Sequence, residues 1–164
     1  MTVDSIEKLL IEELKDLHSA ETQITKKLPK MIEAASSADL KKAFEKHLKE
    51  TEGQIERLDK AFEILGTKVT NKNCDGMKGI LSEGSEMLRE TKSGEVRDAA
   101  LISAAQRVEH YEISAYGTVR SYAEQLNQSE VADLLQETLE EEKATDEKLT
   151  QLSKKINNAA KRAA

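Results

Sequence analysis

Tryptophan is missing from this chain, and cysteine, proline and phenylalanine nearly so: 164 residues hold one Cys, one Pro and two Phe, beside three Tyr and seven Gly. Each shortage excludes something. A single thiol, Cys74, forms no internal disulfide, which fits a reducing compartment. So few aromatics, in a chain dominated by Ala, Leu, Glu and Lys, exclude a sheet-rich fold, and the near absence of breakers leaves room for long helices. No apolar run approaches a membrane-spanning length. Met1 to Leu10 alternates acids with apolar residues and lacks the basic stretch and apolar core of a secretory leader, so a soluble cytoplasmic protein is expected. There is also no excess of base. Lys and Arg number 25 against 31 Asp and Glu, a net charge of −6, with the two signs interspersed; neither nucleic acid nor an anionic membrane is an expected partner. The length suits one domain spanning residues 1–164.

What the chain does have is apolar residues at spacings of three and four, in four long segments and one short one. Helices are expected at about 5–35, 38–65, 76–91, 95–126 and 130–156. The first, capped by Asp4 or Ser5, carries the stripe Val3, Leu10, Leu14, Leu17, Ile24, Leu28, Met31 and Ala35, with Glu21 in phase. Pro29 lies inside this pattern and predicts a kink near Thr25 to Pro29 rather than a stop. The second starts at Ser37 or Asp39 and carries Leu40, Phe44, Leu48, Ile55, Leu58, Phe62 and Leu65, with Gly66 as its C-terminal stop. His47, Thr51 and Gln54 lie inside that seam and Glu50 on its flank. From Thr67 to Asp75, where Asn71 and Asn73 occur, the pattern fails. Met77, Ile80, Leu81 and Leu88 then predict a short accessory helix, closed by Ser93 and Gly94. The next stripe is Leu101, Ala105, Val108, Ala115, Val119, Tyr122 and Leu126, with Glu112 at its centre. After a turn at Asn127 to Ser129, the last helix carries Val131, Leu135, Leu139, Leu149, Leu152 and Ile156, with Glu142 and Asp146 between its two apolar halves. The tail from Asn157 to Ala164 is expected to fray.

A shift of 91 residues lays Leu10 on Leu101, Leu28 on Val119, Phe44 on Leu135 and Glu21 on Glu112. The chain therefore reads as two αα-hairpins joined by a long crossover that carries the accessory helix. That is the ferritin-like route to an antiparallel four-helix bundle.

A bundle core that receives a carboxylate from every helix can hold two divalent ions. The acids here are Glu21, Glu50, Glu112, Glu142 and Asp146, with Gln54 as a neutral oxygen donor. Such donors suit iron(II) or manganese(II) and leave positions open for oxygen or peroxide. Glu21, Glu112 and Glu142 are the leading ligands, one of them bridging; Glu50, Gln54 and Asp146 complete the set. Glu109 and His47 are secondary candidates, Glu109 having a solvated alternative and His47 a hydrogen-bonded core alternative. Tyr111 and Tyr116 are candidate redox neighbours, Glu140 and Glu141 read as solvated, and His18 and His110 as outer or surface groups. Stripe-edge acids also pair with cations, and Arg57, Arg97 and Arg107 are available. The Glu-x-x-His pairs usual in such sites are absent, since Gly53 follows Glu50 and Thr145 follows Glu142 at that spacing.

The segments His47–Leu58, Glu95–Leu101, Val108–Ile113, Tyr116–Gly117 and Thr138–Asp146 closely resemble the YciF-like proteins, a bacterial ferritin-like family of unknown function. The resemblance covers essentially the whole chain. It implies a rubrerythrin-like bundle, a homodimer, an association with bacterial stress responses and a metal site at the bundle centre. Together with the residues it suggests a stress-associated protein with a two-metal carboxylate site that consumes peroxide or oxidises iron(II). Two alternatives stand beside this: a non-enzymatic dimeric stress protein with a vestigial or weak metal site, and an iron-storage protein.

Overall fold

The computed structural model describes residues 2–70 and 72–162. These contain five helices and no strand: α1 (Ile6–Ala34), α2 (Ala38–Ile64), α3 (Asp75–Glu90), α4 (Glu95–Gln125) and α5 (Ser129–Arg162). Asn71, expected to mark the long connection, lies outside the described residues. Among the described residues no helix is long and apolar enough to cross a membrane.

The ends follow local chemistry. Ser5 and Ser37 cap α1 and α2, accepting from the amides of Lys8 and Leu40 at 3.2 and 3.3 Å. At the end of α2, Gly66 takes φ +64°, a left-handed conformation that costs glycine nothing, and the Thr67 amide returns to the Phe62 carbonyl at 3.0 Å. α1 runs through Pro29 to Ala34. The cap of α3 is the thiol of Cys74, which accepts from the Met77 amide at 3.3 Å and is fully buried.

Three expectations need correction. Val3 precedes α1 and is 45 % exposed, because the helix and its packed face begin later. α5 does not fray at Asn157 but runs to Arg162, helped by Ala159 and Ala160 and by Lys161 and Arg162 at its negative end; Ala163 and Ala164 lie outside the described residues. On α4 the buried stripe leaves Ala115 and Tyr122 partly exposed and buries Tyr116 and Ala123 instead. Seven residues fall about 20° short of two turns, so a long stripe slips to the next position.

α1 packs on α2 and α4, α5 on α4 and α2, and α3 lies against α4 and α1. The apolar core has two parts. One is built on Ile24, Leu28, Leu40, Phe44, Leu101 and Leu149, the other on Leu14, Leu58, Phe62, Val119, Leu135 and Leu139. The chain passes from the second part to the first along α1 and α5, and in the opposite sense along α2 and α4. Buried polar residues fall at the junction: Glu21 on α1, His47, Thr51 and Gln54 on α2, Glu109 and Glu112 on α4, Thr138, Glu142 and Thr145 on α5. Asp98, also buried, is separate from them and accepts from the Ser36 and Ser37 amides at 2.7 and 2.8 Å, tying the α1–α2 turn to α4.

Candidate metal centre

Glu21 on α1, Glu112 on α4 and Glu142 on α5 reach the junction for the same reason. Each occupies a stripe position with Leu, Ile or Val one or two turns away, and burying those carries the acid inward; α2 instead brings His47 inward and leaves Glu50 half-buried on its flank. Glu21, Glu109, Glu112 and Glu142 are fully buried and His47 is 3 % exposed. One ring nitrogen of His47 and one carboxylate oxygen from each of Glu109, Glu112 and Glu142 all lie within 4.8 Å of one another.

Apart from carboxyl-to-carboxyl contacts, Glu21 with Glu112 and Glu109 with Glu142, the protein leaves most of this group without a donor or acceptor. His47 Nε2 lies 3.2 Å from Glu109 Oε1, yet the contact lacks hydrogen-bond alignment and both atoms are without a partner. Among the described residues eleven buried side-chain N or O atoms have no partner; ten belong to Glu21, His47, Glu50, Gln54, Glu109, Glu112 and Glu142, the other being Arg120 Nε. Folded proteins leave few such atoms, at about 1–3 kcal/mol each, and do not normally gather them in one place. An imidazole nitrogen and several carboxylate oxygens, buried and turned toward one another, form a donor set that fits a divalent metal ion.

The electrostatics carry the same message. Burial, and then the charge of Glu142, push the Glu21 carboxyl up to about 8 against the hydrogen bond from Tyr116. The same two causes, in that order, push Glu109 and Glu112 well above the usual carboxylate range. Burial lowers His47 and so favours the neutral imidazole, the form that binds metals. Burial, and then the charge of Glu21, raise the Tyr116 phenol, which stays protonated and donates to Glu21 Oε1.

The other candidates are distributed around this group. Glu50 straddles the wall: Oε1 takes the Lys46 ammonium, while Oε2 is buried and unpartnered. Gln54 donates from Nε2 to Glu142 and, at 3.0 Å, to Glu141. Glu141 is not simply solvated, because Arg57 holds it in a two-point ion pair at 2.6 and 2.9 Å. Burial raises its carboxyl, but the bonds from Arg57 and Gln54 together outweigh that and hold it below the ordinary range. Asp146 stands apart from the four grouped donors, accepting from Gln106 at 3.0 Å and lying 3.2 Å from the ring of exposed His110. Tyr111 is turned to the other side of α4, donating to Asp16 at 2.9 Å and touching the Cys74 sulfur at 3.1 Å. His18 also lies outside, 3.1 Å from Asp59. Neither the cap made by Cys74 nor the anchoring role of Asp98 was legible in the sequence. The position of His47 in the α2 seam, one turn before Thr51, was the signal that pointed it inward; the place of Glu109 beside the α4 seam, one turn before Glu112, left its direction open.

Comparison with known proteins agrees over the whole length. Protein YciF of Escherichia coli K12 is 50 % identical over 164 residues, 99 % of this chain and 98 % of that protein. The crystal structure of the E. coli stress protein YciF superposes with a TM-score of 0.92 at 49 % identity, covering 95 % of this chain and 99 % of that one. YcfI from Rhodopseudomonas palustris superposes with a TM-score of 0.88 at 44 % identity, covering 90 % and 94 %. A Xanthomonas campestris protein at 23 % identity, with a TM-score of 0.77 over 94 % and 95 % of the two chains, shares the fold. The family model described as domain of unknown function DUF892 matches residues 5–162, and the chain belongs to that family.

Proposed function

We propose that this protein is a ferritin-like metal–carboxylate protein of the bacterial stress response, holding divalent iron or manganese at the bundle centre and consuming peroxide or oxidising iron(II). The observation that carries this is the convergence of unpartnered buried donors at one level of the helix bundle, from His47, Glu109, Glu112 and Glu142 with Glu21 and Glu50 beside them. The directions of the chain between the two apolar clusters support the ferritin-like arrangement of two αα-hairpins. Similarity to a protein described as a stress protein supports the biological setting.

His47, Glu109, Glu112 and Glu142 would hold the first ion, with Glu21 and Glu50 as donors to a second. Bound there, such a metal supplies redox chemistry and open positions for a small oxidant. The chain supplies the rest. Tyr116 fixes Glu21 by hydrogen bonding, Arg57 fixes Glu141, and Gln54 transmits that order to Glu142. The two apolar clusters keep bulk water from the site and so keep His47 neutral. We take the working unit to be a homodimer, which a solution mass measurement checks.

The test is metal analysis of the purified protein after anaerobic reconstitution with iron(II) or manganese(II). One or more tightly held ions per chain is expected; less than one sinks the proposal. A non-enzymatic role with a weak, vestigial site is the second reading. Its support is the Gln54–Glu142 hydrogen bond, which satisfies part of the cluster without any metal.

A further inference from the structure

Gln54, buried at the junction, donates to two acids at once. Both its neighbours, Glu141 and Glu142, are acceptors, so its amide nitrogen must face them and its carbonyl must face away. The orientation is clamped from outside, since Arg57 bonds Glu141 at two points and Glu137 and Thr138 as well. Two consequences follow. Glu142 keeps only Oε2 free for a metal, and the Gln54 carbonyl oxygen is buried without a partner.

The donors outside the group of four are correspondingly poor. Glu21 has spent one oxygen on Tyr116 and Glu50 one on Lys46. Each keeps a single unpartnered oxygen, as Gln54 does through its neutral carbonyl, and neither Glu21 nor Glu50 is among the donors gathered within 4.8 Å. The group of four by contrast has an imidazole and five unpartnered carboxylate oxygens, two each on Glu109 and Glu112 and one on Glu142.

We infer that Gln54 makes the centre asymmetric: one divalent ion is held tightly by His47, Glu109, Glu112 and Glu142, and a second position beside Glu21 and Glu50 stays weak because residue 54 supplies no anionic or imidazole donor. This rests on the metal-site reading and specifies how many ions that site retains.

The experiment titrates manganese(II) into the intact wild-type protein and into Gln54→Glu, Gln54→His and Gln54→Met. Calorimetry gives the stoichiometry, and electron paramagnetic resonance separates an isolated ion from an exchange-coupled pair. One tight ion with an isolated-ion spectrum is expected for wild type, and two coupled ions for Gln54→Glu and Gln54→His. Gln54→His decides the matter where Gln54→Glu fails to fold. Gln54→Met, which adds no donor and releases Glu142, is expected to keep one ion, held about 10–100-fold less tightly. Two tight ions in wild type overturn the inference while leaving the metal site standing, and so does a single ion in both donor variants or a second ion in Gln54→Met. No tight ion in wild type overturns the metal-site reading itself.

Discussion

The two ends of the bundle and its middle are built on opposite rules. At the ends, Leu, Phe, Val and Ile from several helices interdigitate and bury little that is polar. At the junction between them, four buried glutamates and a histidine face one another with most of their polar atoms unpartnered. The ends hold the fold, since each large buried apolar side chain contributes roughly 1.5–3 kcal/mol. The middle spends part of that stability, and what it gains is a donor set that water and surface cations do not reach. A region this costly, kept at one level of the bundle, is the observation on which the metal-site proposal rests.

The contrast can be broken from either side. Phe62→Ala, in the apolar end, is expected to lower stability by about 3–5 kcal/mol through cavity formation, read by chemical denaturation, with metal stoichiometry unchanged in the folded fraction. Glu112→Leu, in the middle, is expected to act in the opposite direction: a gain of about 1–4 kcal/mol in the metal-free protein, from removing an uncompensated buried acid, together with loss of tight metal binding. If it destabilises the metal-free protein as Phe62→Ala does, Glu112 is a packing residue and the contrast fails.

Acidity sharpens the same comparison. Glu21, raised to about 8, and Glu109 and Glu112, raised well above the usual range, keep protons in the folded state that the unfolded chain gives up above about pH 4.5. Their stabilisation is complete below that pH and is lost as pH rises toward the folded values. His47, lowered by burial, acts in the other sense but only below its ordinary value of 6.5. Between pH 6.5 and about 8 the metal-free protein should therefore weaken with rising pH, by about 1.4 kcal/mol per unit for each carboxyl that stays protonated. Melting curves across that window check this, and added metal should flatten the slope by displacing those protons. A smaller effect separates the junction from an ordinary buried acid. Asp98 is satisfied by two backbone amides, so Asp98→Ala is expected to lose about 1–3 kcal/mol, read by chemical denaturation, with no change in metal binding.

Much of this was readable from residue order. Ser5, Ser37 and Gly66 end their helices as their chemistry dictates, and the apolar spacing places Glu21, Glu112 and Glu142 on inward faces. Less readable was the outer boundary of the cluster. Asp146 holds a seam position by spacing and Glu109 only lies beside one, yet the packed helices bury Glu109 and leave Asp146 to Gln106 and His110. Tyr116 replaced Ala115 in the buried stripe through the same accumulated drift.

Local periodicity and capping determined the five helices and the acids that α1, α4 and α5 carry inward, because both depend on residues within a turn or two along the chain. Which donors meet was decided only by the packing of four helices against one another. Bringing one donor atom each from His47 on α2, Glu109 and Glu112 on α4 and Glu142 on α5 within 4.8 Å of one another depends on the rotation and axial offset of each helix, and those are set by the summed fit of the apolar clusters on either side.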